Sequence, residues 1–93
     1  MKELNPILHS QLRLAVMSIL MSVDEADFVY LRTRTESTAG NLSVQLDKLS
    51  HAGYITLTKT FEGKKPRTTC RVTPEGRHAF EEYVENLRQY LNL

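Results

Sequence analysis

Between Thr38 and Val72 the chain changes its period, and that change limits what it can fold into. Leu42, Leu46 and Leu49 recur along one helical face, and Ala52-Gly53-Tyr54 stops the helix. Alternating residues then run on either side of a basic turn, Gly63-Lys64-Lys65-Pro66-Arg67. A short amphipathic helix leading directly into a cationic hairpin is therefore the fixed point around which the rest must pack.

Ninety-three residues make one small unit with a thin core, so 1–93 reads as a single domain to which a second copy would add apolar surface. A content of 41 % hydrophobic and 25 % charged residues is that of a globular chain, and no apolar run is long enough to span a bilayer, so no membrane partner is expected. The opening Met1-Lys2-Glu3-Leu4-Asn5-Pro6 leads into no uninterrupted apolar region and no small-residue cleavage site, which predicts cytoplasmic residence. Cys70 is the lone cysteine and has no partner for an intramolecular disulfide or a metal-ligand pair, as suits a reducing compartment.

The net charge is only +1, but it is unevenly spread. Residues 59 to 72 hold Lys59, Lys64, Lys65, Arg67 and Arg71 against Glu62, for +4, whereas residues 73 to 93 sum to −2 and residues 1 to 58 to −1. Cations concentrated at a hairpin tip attract phosphates through counterion release. Together with the preceding helix they offer two probes at the spacing of a major groove and its flanking phosphates. The plain alternative for the hairpin alone is a solvated charged turn.

No linker or repeat interrupts the chain. Asn5 before Pro6 suits a short first turn, and Ser10 an N-cap for a helix from about Gln11 to Ser22. That helix is apolar on nearly every side, which predicts cover from more than one direction: a second subunit, or a central place in a monomer. Asp24-Glu25-Ala26-Asp27 reads as a polar connection into a second helix from Phe28 to near Thr35. Glu36-Ser37 forms the turn, and Thr38 caps a third helix from Ala39 to about Ala52.

Beyond Gly53, Ile55 and Leu57 alternate with threonines, and a return strand over Thr68 to Val72 puts Thr68, Cys70 and Val72 on the apolar side. Pro66 marks the tip as a projecting wing. Thr73-Pro74-Glu75 starts a last helix with a wide apolar stripe. The order predicts a mainly α, α+β winged helix-turn-helix, with a core over about 10–72 and a long C-terminal helix over 73–93.

Five blocks carry a resemblance: His9-Ser10 with Leu12-Arg13-Leu14-Ala15; Thr38-Ala39-Gly40-Asn41-Leu42-Ser43; Leu49 through Tyr54; Phe61 through Thr68; and Val72-Thr73-Pro74-Glu75-Gly76-Arg77. In these the chain resembles small prokaryotic winged-helix transcriptional regulators related to the MarR group. The resemblance implies a homodimer joined through the first and last helices, with Leu12, Val16, Phe80, Tyr83, Val84, Leu87, Tyr90 and Leu91 between the copies. It also implies that the third helix enters the major groove of double-stranded DNA while the wing lies on the backbone or minor groove. Operator and effector vary among such regulators, and no residue here identifies a small-molecule effector.

By side-chain chemistry Asn41 and Gln45 are the candidates for base edges, since an amide pairs bidentately with adenine, and Lys48 suits guanine or a phosphate. Thr38 and Ser43 can donate to phosphate, Thr38 in competition with its capping role. Lys64, Lys65 and Arg67 form the phosphate or minor-groove set, to which Arg32 and Arg34 could add. Asp47 is the departure, a carboxylate on the same helix. No nucleophile triad, phosphate-cradling glycine loop or zinc motif is present, so neither catalysis nor a cofactor is expected. His9, His51 and His78 sit in separate elements without metal-ligand spacing. The alternative function is a winged-helix module that binds only protein.

Overall fold

The structure, a computed structural model, describes residues 1–91. Its elements are α1 (Gln11–Leu20), β1 (Ala26–Asp27), α2 (Phe28–Thr35), α3 (Ala39–His51), β2 (Ile55–Glu62), β3 (Lys65–Val72) and α4 (Pro74–Leu91). The strands form one antiparallel sheet in the order β1-β3-β2. This is the expected α+β winged helix with one strand more than expected: Ala26 and Asp27 pair with Cys70 and Thr69, so part of the supposed polar connection is a sheet edge.

Helix ends are fixed by local chemistry. Thr38 caps α3 by accepting from the Asn41 N–H at 3.2 Å, as expected, and Asp27 does the same for α2 through the Tyr30 N–H at 2.8 Å. Ser10 occupies the N-cap of α1 but its hydroxyl makes no capping bond. Past the end of α3, the Gly53 and Tyr54 N–H groups bond the Ser50 and Leu49 carbonyls, with Gly53 at φ 81°. The end of α2 uses the same pair of bonds, from Glu36 to Thr33 and Ser37 to Arg32, but puts a glutamate in the left-handed position at φ 54°. Two equivalent turns thus frame α3, and only one of them carries the glycine that makes such a turn legible.

The core gathers Leu8, Val16, Met17, Leu20, Leu31, Leu42, Leu49 and Cys70, all fully buried, with Ile55 and Tyr83 beside them. α1 is the central helix of the protomer, packed on α2, α3 and β3, while Leu8 and half-buried Ile7 from the preceding turn cover it further. Its apolar circumference is therefore largely satisfied within one chain. The expectation that Val16 and Tyr83 lie between copies is corrected by the same packing: both are enclosed in their own protomer, Tyr83 with its hydroxyl 3.0 Å from His9 Nδ1. β3 starts three residues earlier than expected, at Lys65, because the strands run paired to a two-residue turn, Gly63-Lys64. Gly63 at φ 66° followed by a residue with negative φ is the type II′ pattern that matches strand twist.

α4 is held to the end of α3 by Thr73. Its hydroxyl donates to the Gly53 carbonyl at 2.6 Å and accepts from the Gly76 N–H at 2.9 Å, while its own N–H bonds the Tyr54 carbonyl at 3.0 Å. Gly76 passes so close that a Cβ there would lie 2.0 Å from the Tyr54 carbonyl oxygen. The long helix and the recognition-type helix are therefore fixed relative to each other.

Candidate nucleic-acid interface

With Leu42, Leu46 and Leu49 turned inward, the other side of α3 exposes Gly40, Asn41, Ser43, Val44, Asp47, Lys48 and His51. The wing stands beside it. Ser43 and Asp47 share a small cleft of about 110 Å³ with Lys59 and Thr68 of the sheet, so the helix and the hairpin form one continuous surface. Asp47 lines that cleft with Lys59 and stays exposed, so a carboxylate stands on the same surface.

The register sorts the wing cations by face. Ile55, Leu57 and Lys59 pair with Val72, Cys70 and Thr68 on the core-facing side, which places Lys59 toward α3; Arg67 and Arg71 lie on the outer face with Thr69. Those arginines meet carboxylates. Arg67 stands 3.6 Å from Asp27 and 3.7 Å from Glu62, and Arg71 stands 3.5 Å from Glu25. Among the described residues Lys48, Lys59, Lys64 and Lys65 make no ion pair. On α3 and the wing the cations left unneutralised are thus the lysines at the tip and on the α3 side, and Lys59 belongs to that set.

Of the residues expected to read bases, Lys48 is exposed and unpaired, whereas Gln45 is half-buried and tied inward. Arg13 Nη1 of α1 donates to Gln45 Oε1, and Gln45 Nε2 donates to Asn41 Oδ1 at 3.0 Å. Arg13 itself is held by the Ile7 carbonyl at 2.6 Å and the Pro6 carbonyl at 3.5 Å. The i, i+4 spacing of Asn41 and Gln45 was readable, but the arginine 32 residues upstream was not. Val44 was also missed; at 51 % exposure it offers an apolar contact of the kind that meets a thymine methyl. On α2, Arg34 donates to its own neighbour Tyr30 at 2.6 Å, while Arg32 is exposed.

A capped helix that exposes small and amide residues, flanked by a hairpin with free lysines, is the architecture of a winged helix. The chain belongs to the winged helix DNA-binding domain family, whose pattern matches residues 12–91. It is 29 % identical over 83 residues to an uncharacterised protein of Methanocaldococcus jannaschii, covering 89 % of this chain and 90 % of that one. In fold it is similar to a transcriptional regulator homologue from Pyrococcus horikoshii, with a TM-score of 0.85 and 24 % identity over 92 % of this chain and 85 % of that one. It is also similar to PadR of Bacillus subtilis, solved with operator DNA, with a TM-score of 0.71 and 18 % identity over 81 % of this chain and 48 % of that one. Its structural neighbours are transcriptional regulators of the MarR and PadR type, in agreement with the resemblance read from the sequence.

Proposed function

We propose that the protein is a sequence-specific regulator of transcription that binds double-stranded DNA as a homodimer. α3 enters the major groove, and Lys59, Lys64 and Lys65 bind phosphates beside it. The observation that carries this reading is the continuous surface of α3 and wing, on which, among the described residues, Lys48, Lys59, Lys64 and Lys65 make no ion pair. The family and the operator-bound state of PadR support it. No helix is long and apolar enough to cross a membrane. Acting on duplex DNA would put the protein in the cytoplasm of a prokaryotic cell.

The second copy would pack on α4, whose Val84, Tyr90 and Leu91 are 38 %, 43 % and 56 % exposed beside half-buried Phe80 and Leu87, with half-buried Leu12 of α1 as a further contact. With Val16 and Tyr83 buried in their own protomer, these are the residues of the expected interface that remain available for pairing. A small-molecule effector is compatible with this reading, and the likeness to NadR, solved with 4-hydroxyphenylacetate, gives it a precedent in the fold.

The test is duplex binding by the protein and by a Lys64→Ala, Lys65→Ala variant across a salt series. Loss of about two units from the slope of log K against log salt, without change in base preference, is the expected result. An unchanged slope would remove the wing from the interface.

A further inference from the structure

Asn41 and Gln45 are amides, and which end each presents outward is fixed by a group on another helix. Arg13 can only donate, because its guanidinium carries N–H groups and no acceptor at any accessible pH. The atom of Gln45 that meets Arg13 Nη1 must therefore be the oxygen Oε1. That leaves Nε2 directed at Asn41, where it donates to Oδ1 at 3.0 Å. With Oδ1 turned back along the helix, the end of Asn41 left for an external partner is Nδ2, a donor. Arg13 in turn cannot swing away freely, since Nε is held by the Ile7 carbonyl at 2.6 Å and Nη2 reaches the Pro6 carbonyl at 3.5 Å.

Resting on the DNA-binding reading above, we infer that Arg13 is a positioning residue for base recognition: through Gln45 it locks Asn41 with its amide nitrogen outward, so that Asn41 reads a base acceptor. Bidentate pairing with adenine, the sequence expectation for these amides, needs both ends of one amide facing the base. The locked arrangement withholds the oxygen. Purine N7, guanine O6 and thymine O4 accept from Nδ2, whereas the amino groups of cytosine and adenine offer it nothing. The same relay joins α3 to α1 and to the turn before it, so the reading group is set by residues outside the recognition helix.

The experiment is selection from a randomised duplex pool with the full chain, the Asn41→Ala variant marking the base position that Asn41 reads. At that position the wild-type protein should disfavour cytosine, the base with no major-groove acceptor, by roughly tenfold on the contacted strand. Gln45→Glu keeps the pair with Arg13 but turns the donor that faced Asn41 into an acceptor. Asn41 should then rotate, present Oδ1, and turn the preference toward cytosine, whose amino group donates to it. Arg13→Met should flatten the preference there and leave other positions sharp. Thermal melts of both variants accompany the selection, and Gln45→Glu alone decides the matter if Arg13→Met does not fold. A uniform loss of affinity from either folded variant, with the preference at that position intact, overturns the relay while DNA recognition stands. Failure of the wild-type protein to bind any duplex defeats the DNA-binding reading and this inference with it.

Discussion

The guanidinium of Arg67 stands 3.6 Å from Oδ2 of Asp27, while Oδ1 of the same carboxylate caps α2 through the Tyr30 N–H at 2.8 Å. One side chain thus fixes a helix start and holds a wing cation on the outer face of the sheet. Binding phosphate with Arg67 requires leaving that carboxylate. Asn is as good an N-cap as Asp and carries no charge. Asp27→Asn should therefore keep the melting temperature within a few degrees and tighten duplex binding by about twofold to fivefold at low salt, the range an exposed pair is worth. Fluorescence anisotropy measures this, and weaker binding by a folded variant would show that the pair helps the interface.

Gly76 is required by space. Its missing Cβ would sit 2.0 Å from the Tyr54 carbonyl oxygen, a backbone atom that the Thr73 N–H already holds. Gly76→Ala should destabilise the protein by about 1–3 kcal/mol, although alanine is the better helix former. A chemical denaturation midpoint equal to wild type would mean that α4 sits elsewhere.

Cys70 is fully buried opposite Leu57, and burial, with the nearby charge of Asp27 adding to it, pushes its thiol up to about 11. The unfolded chain loses that proton near its ordinary value of 9.0, two units earlier. The unfolded state therefore binds fewer protons than the folded one between about pH 9 and 11, and stability falls as pH rises through that window. The contribution is of order 2 kcal/mol, present in full below about pH 9. Cys70→Ala should lose less stability from pH 8 to 10.5 than wild type, and at neutral pH a thiol reagent should react only as fast as the protein opens. Rapid labelling of the native protein would contradict this.

For the homodimer, Leu87 packs against its own core, so changing it mixes folding with association. Val84 and Leu91 are better probes at 38 % and 56 % exposure. Val84→Glu should give a folded monomer in sedimentation, with duplex affinity lowered by more than tenfold as the second half-site is lost. An unchanged dimer mass would move the interface away from α4.

Periodicity made much of this legible. The leucine spacing of α3, its Thr38 cap, the Gly53 stop and the Thr73-Pro74 start are local signals, and each stands where the sequence put it. β1 was hidden because two residues carry no pattern; its pairing comes from tertiary placement beside β3. The end of α2 was found from composition, although glutamate there gives no hint of a left-handed turn. The site was less legible than the fold. Asn41, Lys48 and the tip lysines are exposed as expected, but the internal partners of Gln45 and Arg67 are set by contacts 32 and 40 residues away in sequence. Charge counting assigned Arg67 and Arg71 to the phosphate patch and could not see that Asp27 and Glu25 come to lie beside them. Val16 and Tyr83 show the same limit on the apolar side: a stripe identifies what is buried, and only the packing tells whether the cover is the same chain or a second one.

The central claim is that α3 and the wing read duplex DNA across a two-fold axis. Its most direct test is selection of the wild-type protein on a randomised duplex pool, with the retained fraction sequenced and its affinity measured across a salt series. The account predicts an inverted repeat with half-sites about 10 base pairs apart and a salt slope reporting several phosphate contacts. Retention of no duplex at low salt would contradict it and leave a winged helix that binds protein alone.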